Sequence, residues 1–232
     1  MQICLVGARG KMGKAVQQVV EQTPGVSIGA KITCGADWQS VDLWSCHVIV
    51  DFSSPNATNN LDFFAKKVKL PLVVGSTGHT KSQWAVLQNL AKSVPVFYAS
   101  NFSVGAYLQR QLCQYAAQLC PLWDTEILEI HHRQKKDAPS GTAMLLAKDI
   151  SQQLSRPISV SSVSQQGQIG LYSMRGGTEV GEHQVYFFGS GERIQIVHMA
   201  SSRLAFATGA IRAAQFVCGQ APGFYTMDDL LK

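Results

Sequence analysis

The stretch Gln2-Ile3-Cys4-Leu5-Val6-Gly7-Ala8-Arg9-Gly10-Lys11-Met12-Gly13 decides the fold. A short apolar run ends in a glycine-rich turn, and the turn opens directly into helical spacing: Met12, Ala15, Val16, Val19 and Val20. Glycines let a backbone approach a pyrophosphate closely, and the unpaired N–H groups and dipole of a helix start attract it. Strand, glycine turn and helix in that order is the context in which such a turn points to a dinucleotide. The spacing here is G-x-x-G-x-x-G, not the commoner G-x-G-x-x-G. A tight turn without a ligand is the plain alternative.

Outward from that turn the pattern repeats. Thr23-Pro24-Gly25 stops the helix, and residues 26–32 read as a second strand. Residues 47–53 (HVIVDFS) and 70–75 (LPLVVG) are continuous apolar runs, which predicts strands covered on both faces. Trp84, Leu87, Leu90 and Ala91 mark a helix face, and residues 94–99 another strand. This rhythm predicts an α/β fold with a Rossmann-type doubly wound parallel sheet. After Asn101 the pattern changes. Val104, Leu108, Leu112, Tyr115 and Leu119 predict a long amphipathic helix, 126–132 a strand and 141–154 a helix. Residues 171–175, 184–188 and 193–200 read as strands, with Gly189-Ser190-Gly191 as a hairpin turn, before helix 204–217. The expected organisation is a dinucleotide domain, 1–102 with 204–232. Between its parts an α+β domain, 103–203, is inserted, containing an open mixed sheet that needs covering.

Bulk properties exclude several classes. With 232 residues, 46% hydrophobic and 15% charged, the chain can build real cores, yet no apolar run is long enough for a membrane span. The net charge of +5 is spread out, with no basic run longer than Lys66-Lys67 or Lys135-Lys136, so neither nucleic acid nor membrane is an expected partner. Six cysteines without a C-x-x-C pair read as reduced, buried thiols, consistent with a cytoplasmic protein.

Two further turns fall at the ends of predicted parallel strands, where ligands of such sheets bind: Gly75-Ser76-Thr77-Gly78 and Ala99-Ser100-Asn101-Phe102. An NAD site usually carries an acid after the second strand for the ribose hydroxyl. Here Ile32-Thr33-Cys34 offers none, while Arg9, Lys11 and the Thr33 hydroxyl suit a 2′-phosphate, so NADPH is favoured over NADH.

The most specific stretch is Glu129-Ile130-His131-His132-Arg133-Gln134-Lys135-Lys136-Asp137-Ala138-Pro139-Ser140-Gly141-Thr142-Ala143. Adjacent strand residues face opposite sides, so His131 and His132 can share a site only where the strand breaks. Ser140 is a natural N-cap, and the donors around Gly141 and Thr142 suit a carboxylate. Lys135 adds a positive point or, if desolvated, a proton. Singly these are a packed histidine, a solvated lysine and an ordinary cap; fifteen residues holding all of them point to a site. Two neighbouring histidines are poorly spaced for zinc, and no metal is expected.

Taken together these motifs resemble the dihydrodipicolinate reductase family. The family's H-H-x-x-K-x-D-A-P-S-G-T-A signature matches His131 through Ala143. Its G-x-x-G-x-M-G turn matches Gly7 through Gly13, its G-[ST]-T-G turn Gly75 through Gly78, and its N-F-S-x-G segment Asn101 through Gly105. Gly181-Glu182-His183 and Ala200-Ser201-Ser202-Arg203 match as well. The resemblance implies NAD(P)H-dependent reduction of a small dicarboxylate, 4-hydroxy-tetrahydrodipicolinate, in lysine and diaminopimelate biosynthesis. It implies His131 as acid/base, Lys135 as proton donor, and His132, Ser140, Gly141 and Thr142 as substrate contacts. Cofactor contacts map to Gly7, Ala8, Arg9, Gly10, Lys11, Met12, Gly75, Ser76, Thr77, Ala99, Ser100, Asn101 and Phe102. It also implies a homotetramer assembled through the substrate-domain sheets. Thr33 and Cys34 stand where many members carry an acid and Arg, and the chain is short for the family between Thr33 and His47. Two other readings stay open on the residues alone. One is another Rossmann dehydrogenase, such as a semialdehyde dehydrogenase with a thiolate nucleophile. The other is a non-catalytic nucleotide sensor.

Overall fold

A computed structural model describes residues 1–232, apart from the side chain of Gln39. The chain divides into two compact units, Met1–Ser103 with Arg203–Lys232, and Val104–Ser202.

In the first unit β1 (Gln2–Val6), α1 (Lys11–Glu21), β2 (Ser27–Ile32), β3 (Val48–Asp51), α2 (Thr58–Val68), β4 (Leu72–Val74), α3 (Lys81–Leu90) and β5 (Pro95–Tyr98) alternate. The sheet order is β5-β4-β3-β1-β2, extended beyond β5 by the strand Gly223–Tyr225, every pair parallel. β1 lies between β2 and β3, so the winding reverses beside the glycine turn, which is where doubly wound sheets bind ligands. The inner strands β1, β3 and β4 are apolar but for Gln2 at the start of β1 and Asp51 at the end of β3, and are buried along nearly their whole length, whereas edge strand β2 alternates. α1 turns Ala15, Val16, Val19 and Val20 inward. Helix α2, with Leu61, Phe64 and Ala65 buried, was not evident from the sequence, because its first turn, Thr58-Asn59-Asn60, is built from poor helix formers.

The second unit holds α4 (Val104–Leu119), β6 (Asp124–His131), α5 (Gly141–Leu154), β7 (Ile158–Ser159), β8 (Ile169–Arg175), β9 (Glu182–Phe188) and β10 (Arg193–Met199). Its sheet, ordered β10-β9-β6-β8-β7, is mixed: β6 pairs parallel with β8 and antiparallel with β9. The hairpin turn stands at Gly189–Gly191 as expected, closed by Gly189 N–H to Glu192 O at 2.9 Å. One sheet face is covered by α4 and α5, whose Cys113, Ala117, Leu146, Ala147 and Ile150 meet Ile127, Ile169, Leu171, Val185 and Phe187. The other face leaves Met174, Phe188, Val197 and Met199 exposed.

The chain then returns to the first unit as α6 (Leu204–Val217), which packs on α1 through alanines and glycine, followed by β11 (Gly223–Tyr225) and α7 (Met227–Leu231). β11 adds a sixth strand beside β5 that the sequence did not reveal, since three residues are too few for periodicity.

The long helix expected after Asn101 stands as α4, while the reading of the cysteines as buried is corrected. The apolar stripe of α4, Val104, Leu108, Leu112, Tyr115 and Leu119, faces outward, each residue between 38% and 62% exposed. The small residues Ala106, Cys113 and Ala117 take the inner face and permit close approach, together with Gln109, whose side-chain amide donates to His183 O and Ile196 O. The cysteines are all free, but only Cys4, Cys46 and Cys113 are buried; Cys34, in the loop after β2, and Cys218, at the end of α6, are exposed. No helix among the described residues is long and apolar enough to cross a membrane.

Candidate active site

At the C-terminal edge of the first sheet the strand Val48–Asp51 and the two residues after it act as a seat for the predicted nucleotide turns. Gly7 adopts φ +81°, and a Cβ there would stand 2.6 Å from the Phe52 carbonyl oxygen, so only glycine fits. Its N–H donates to Ile32 O at 2.9 Å, tying the turn to the end of β2 beside Thr33. Gly75 lies against the Phe52 ring, where a Cβ would be 2.2 Å from Cε1. Phe102 meets the same ring edge-on at 5.5 Å. Turns 7–13, 75–78 and 99–102 therefore converge on one segment.

Asp51 fixes that segment. Its carboxylate is fully buried and accepts from Ser53 N–H at 2.9 Å, from the Ser53 hydroxyl, and from Ser76 Oγ at 2.7 Å. Burial raises its pKa, and the donated bonds from Ser53 and Ser76 only partly offset that rise. The Ser76 hydroxyl thus points inward, and the side chains of Ala8, Ala99 and Phe102 are buried too, so these residues can offer a ligand backbone groups only. Arg9, Gly10, Lys11 and Thr77 are exposed, while Met12, Thr33, Gly75, Ser100 and Asn101 are half-buried. Gly10 has no side chain to cap α1, and no acid stands in its first turn, so the positive helix end is not neutralised from within. Exposed backbone donors at a helix start that carries no acid can accept an anion. Asp51 and Phe52 were missed as functional residues because an apolar strand reading absorbs them.

In the second unit the residues of the histidine segment gather at the end of β6. Thr125, Ile127, Glu129 and His131 alternate onto the helix-covered face, which brings His131 and Glu129 to one side. His131 Nδ1 pairs with Glu129 Oε2. Arg175, opposite His131 in register on β8, donates to Glu129 Oε1 at 2.7 Å and to Asp137 O at 2.7 Å. His183, opposite Glu129 on β9, meets the His131 ring edge-on at 5.2 Å. Its Nε2 lies 3.1 Å from Ser140 Oγ, which also caps α5 by accepting from Ala143 N–H. Lys135 pairs with Asp137 at 2.9 Å. His132 follows the last residue of β6, its N–H bonded to Glu179 O, so the strand does break between the two histidines. Gly141 is exposed and Thr142 half-buried in the first turn of α5.

The charges are matched internally. Burial would raise Glu129, but the bonds from His131, Arg175 and Ser173 outweigh it and hold the carboxyl well below its usual range. Burial, reinforced by His131, lowers His183 from 6.5 to about 3, so it is neutral. Glu129, His131 and His183 bring ligand atoms within 4.8 Å of one another, the spacing of a metal site. Arg175 already gives Glu129 the positive partner that a metal would otherwise be, and Ser140 engages His183. Burial pushes Cys113 up to about 12, which disqualifies this buried thiol as the nucleophile of semialdehyde chemistry. Glu129, Arg175 and His183 were not among the predicted site residues. A signal existed for Glu129, a carboxylate in phase with His131 on a core-facing strand; Arg175 needed the strand register.

Comparison with known proteins shows the family. Residues 1–102 match the family model described as dihydrodipicolinate reductase, N-terminus, and residues 105–231 the one described as dihydrodipicolinate reductase, C-terminus. A 4-hydroxy-tetrahydrodipicolinate reductase of Akkermansia muciniphila is 40% identical, the alignment covering 99% of this chain and 97% of that one. One of Rickettsia bellii is 38% identical over 99% and 94%. A dipicolinate-bound dihydrodipicolinate reductase structure from Paenisporosarcina sp. TG-14 shares the fold, with a TM-score of 0.78, 23% identity and 97% coverage of each chain.

Proposed function

The chain belongs to the dihydrodipicolinate reductase family, and on that premise we propose that it reduces 4-hydroxy-tetrahydrodipicolinate to tetrahydrodipicolinate in lysine and diaminopimelate biosynthesis. One hydride and one proton enter, and one water leaves. The observation that carries this reading is the cluster at the end of β6: an imidazole backed by a buried carboxylate, with an ammonium group four residues on and a capped helix start beside it.

When bound, a pyridine nucleotide supplies the hydride. Residues 7–12, 75–77 and 99–102 hold it, mainly through backbone groups. Arg9, Lys11 and Thr33, with no acid at the end of β2, favour NADPH over NADH. His131 moves a proton at its imidazole, and Lys135 delivers one from its ammonium. Ser140, Gly141 and Thr142 bind one substrate carboxylate at the positive end of α5, and His132 lies alongside. The Asp137 carboxylate, lowered by Lys135 and Arg175 against its own burial, keeps the Lys135 ammonium anchored in the loop.

Assembly as a homotetramer through the open face of the second sheet accounts for Met174, Phe188, Val197 and Met199 standing exposed in one chain. A cytoplasmic setting suits the six free cysteines.

The test is the loss of reduced-nicotinamide absorbance with freshly generated 4-hydroxy-tetrahydrodipicolinate, run with NADPH and with NADH. Lys135→Ala should lower kcat by about 100-fold or more while NADPH still binds. Undiminished turnover would remove Lys135 from the mechanism, and no oxidation with either nucleotide would leave only a sensor.

A further inference from the structure

Glu129 is wholly buried, yet its two oxygens reach groups on several elements. One oxygen faces His131 Nδ1. The other accepts from Arg175 at 2.7 Å and from Ser140 N–H at 3.3 Å. A single carboxylate therefore touches the imidazole on β6, the guanidinium on β8 and the residue that caps α5. Arg175 extends the chain of contacts to the Asp137 carbonyl, and Asp137 in turn holds Lys135. Three groups assigned to the reaction, His131, Lys135 and Ser140, are thus connected through this one residue.

Its chemistry is directional. A neutral imidazole facing a carboxylate through Nδ1 keeps its proton on that nitrogen, leaving Nε2 as the atom for proton exchange. A carboxylate behind the ring also stabilises the imidazolium formed when Nε2 takes a proton, the logic by which a buried acid orients a catalytic histidine. The groups facing His131 are Glu129 on its own strand, Arg175 on β8 and His183 on β9, with Lys135 and Asp137 in the following loop. His198 on β10 lies behind His183. Of these only Glu129 presents an anion to Nδ1.

We propose that Glu129 is the positioning residue of the proton-transfer step: it holds His131 with Nε2 available and locks that ring to the α5 start that receives the substrate carboxylate. This rests on the reading of His131 as the acid/base group.

The experiment is a cycle of His131→Asn, Glu129→Gln and the double variant. Each is checked for cooperative thermal unfolding and NADPH binding, and its kcat is followed against pH. Glu129→Gln should lower kcat by about 100-fold and move the His131-dependent limb of the profile to lower pH, because the imidazolium loses its anion. Glu129→Asp, with the charge kept, should restore part of the rate and the position of that limb. In the His131→Asn background, Glu129→Gln should cost less than about threefold more, since both act through one ring. An unmoved pH limb, or an equal loss in both backgrounds, overturns the proposal. Full turnover in His131→Asn instead overturns the reading on which it rests. If Glu129→Gln does not fold, Arg175→Lys provides the second measurement: looser pairing with Glu129 leaves more of its negative charge for the imidazolium, so the limb should move to higher pH, and an unmoved limb counts against the proposal.

Discussion

Each unit places one carboxylate, fully out of water, at the end of a central strand, and the two behave oppositely. Asp51 in the first sheet is met only by hydroxyls and a backbone N–H, and burial raises its pKa. Glu129 in the second is met by a guanidinium and an imidazole, and it is held well below its usual range. Burial is the same; the partners differ. Asp51 needs only to bring two turns together, for which neutral donors suffice. Glu129 sits where charge must come and go, and its partners keep it ionised throughout.

The sharpest way to break the contrast is Arg175→Met, which leaves Glu129 buried without its cation. It should destabilise the protein by about 3–5 kcal/mol in urea unfolding. A loss under 1 kcal/mol would mean that the pair is not load-sharing in the folded state.

Acid should separate the units next. Between 6.5 and about 3, His183 binds fewer protons folded than unfolded, so its contribution is lost as pH falls through that window. Glu129, lowered from its ordinary 4.5, acts with the same sign below that value. Asp51 has the reverse sign: its pKa is raised from 3.8, the folded state takes up the proton first, and its contribution grows as pH falls. Hydrogen exchange, corrected for intrinsic rates, should show β6, β8 and β9 losing protection at a higher pH than β1, β3 and β4.

Smaller effects belong to the first unit. Gly75→Ala drives a methyl into the Phe52 ring and should cost about 1–3 kcal/mol and raise the KM for nucleotide. Asp51→Asn, which keeps most of the hydrogen bonds and removes a disfavoured charge, should stay within about 1 kcal/mol of the parent in the same urea assay.

The legibility of these two regions in the sequence differed for a physical reason. The glycine turn and the apolar strands are local patterns, readable in a window of a dozen residues, and so was the cluster His131, Lys135 and Ser140. The partners that make those residues functional are distant: Ser76 reaches Asp51 across 25 positions and Arg175 reaches Glu129 across 46. Such pairs depend on strand register, which no single window contains. The outward stripe of α4 was unreadable for a related reason, since periodicity reports that a helix has an apolar side but not what lies against it.

The return of the chain to its first unit has a consequence for biosynthesis. During translation, residues 104–202 are complete and contiguous while the nucleotide-binding sheet still lacks α6 and the strand Gly223–Tyr225. The ribosome therefore releases a self-contained module first and leaves the β5 border open to stray strand pairing until the closing segment arrives. Deleting that segment should turn a well-behaved polypeptide into an aggregation-prone one, although it removes none of the groups assigned to chemistry.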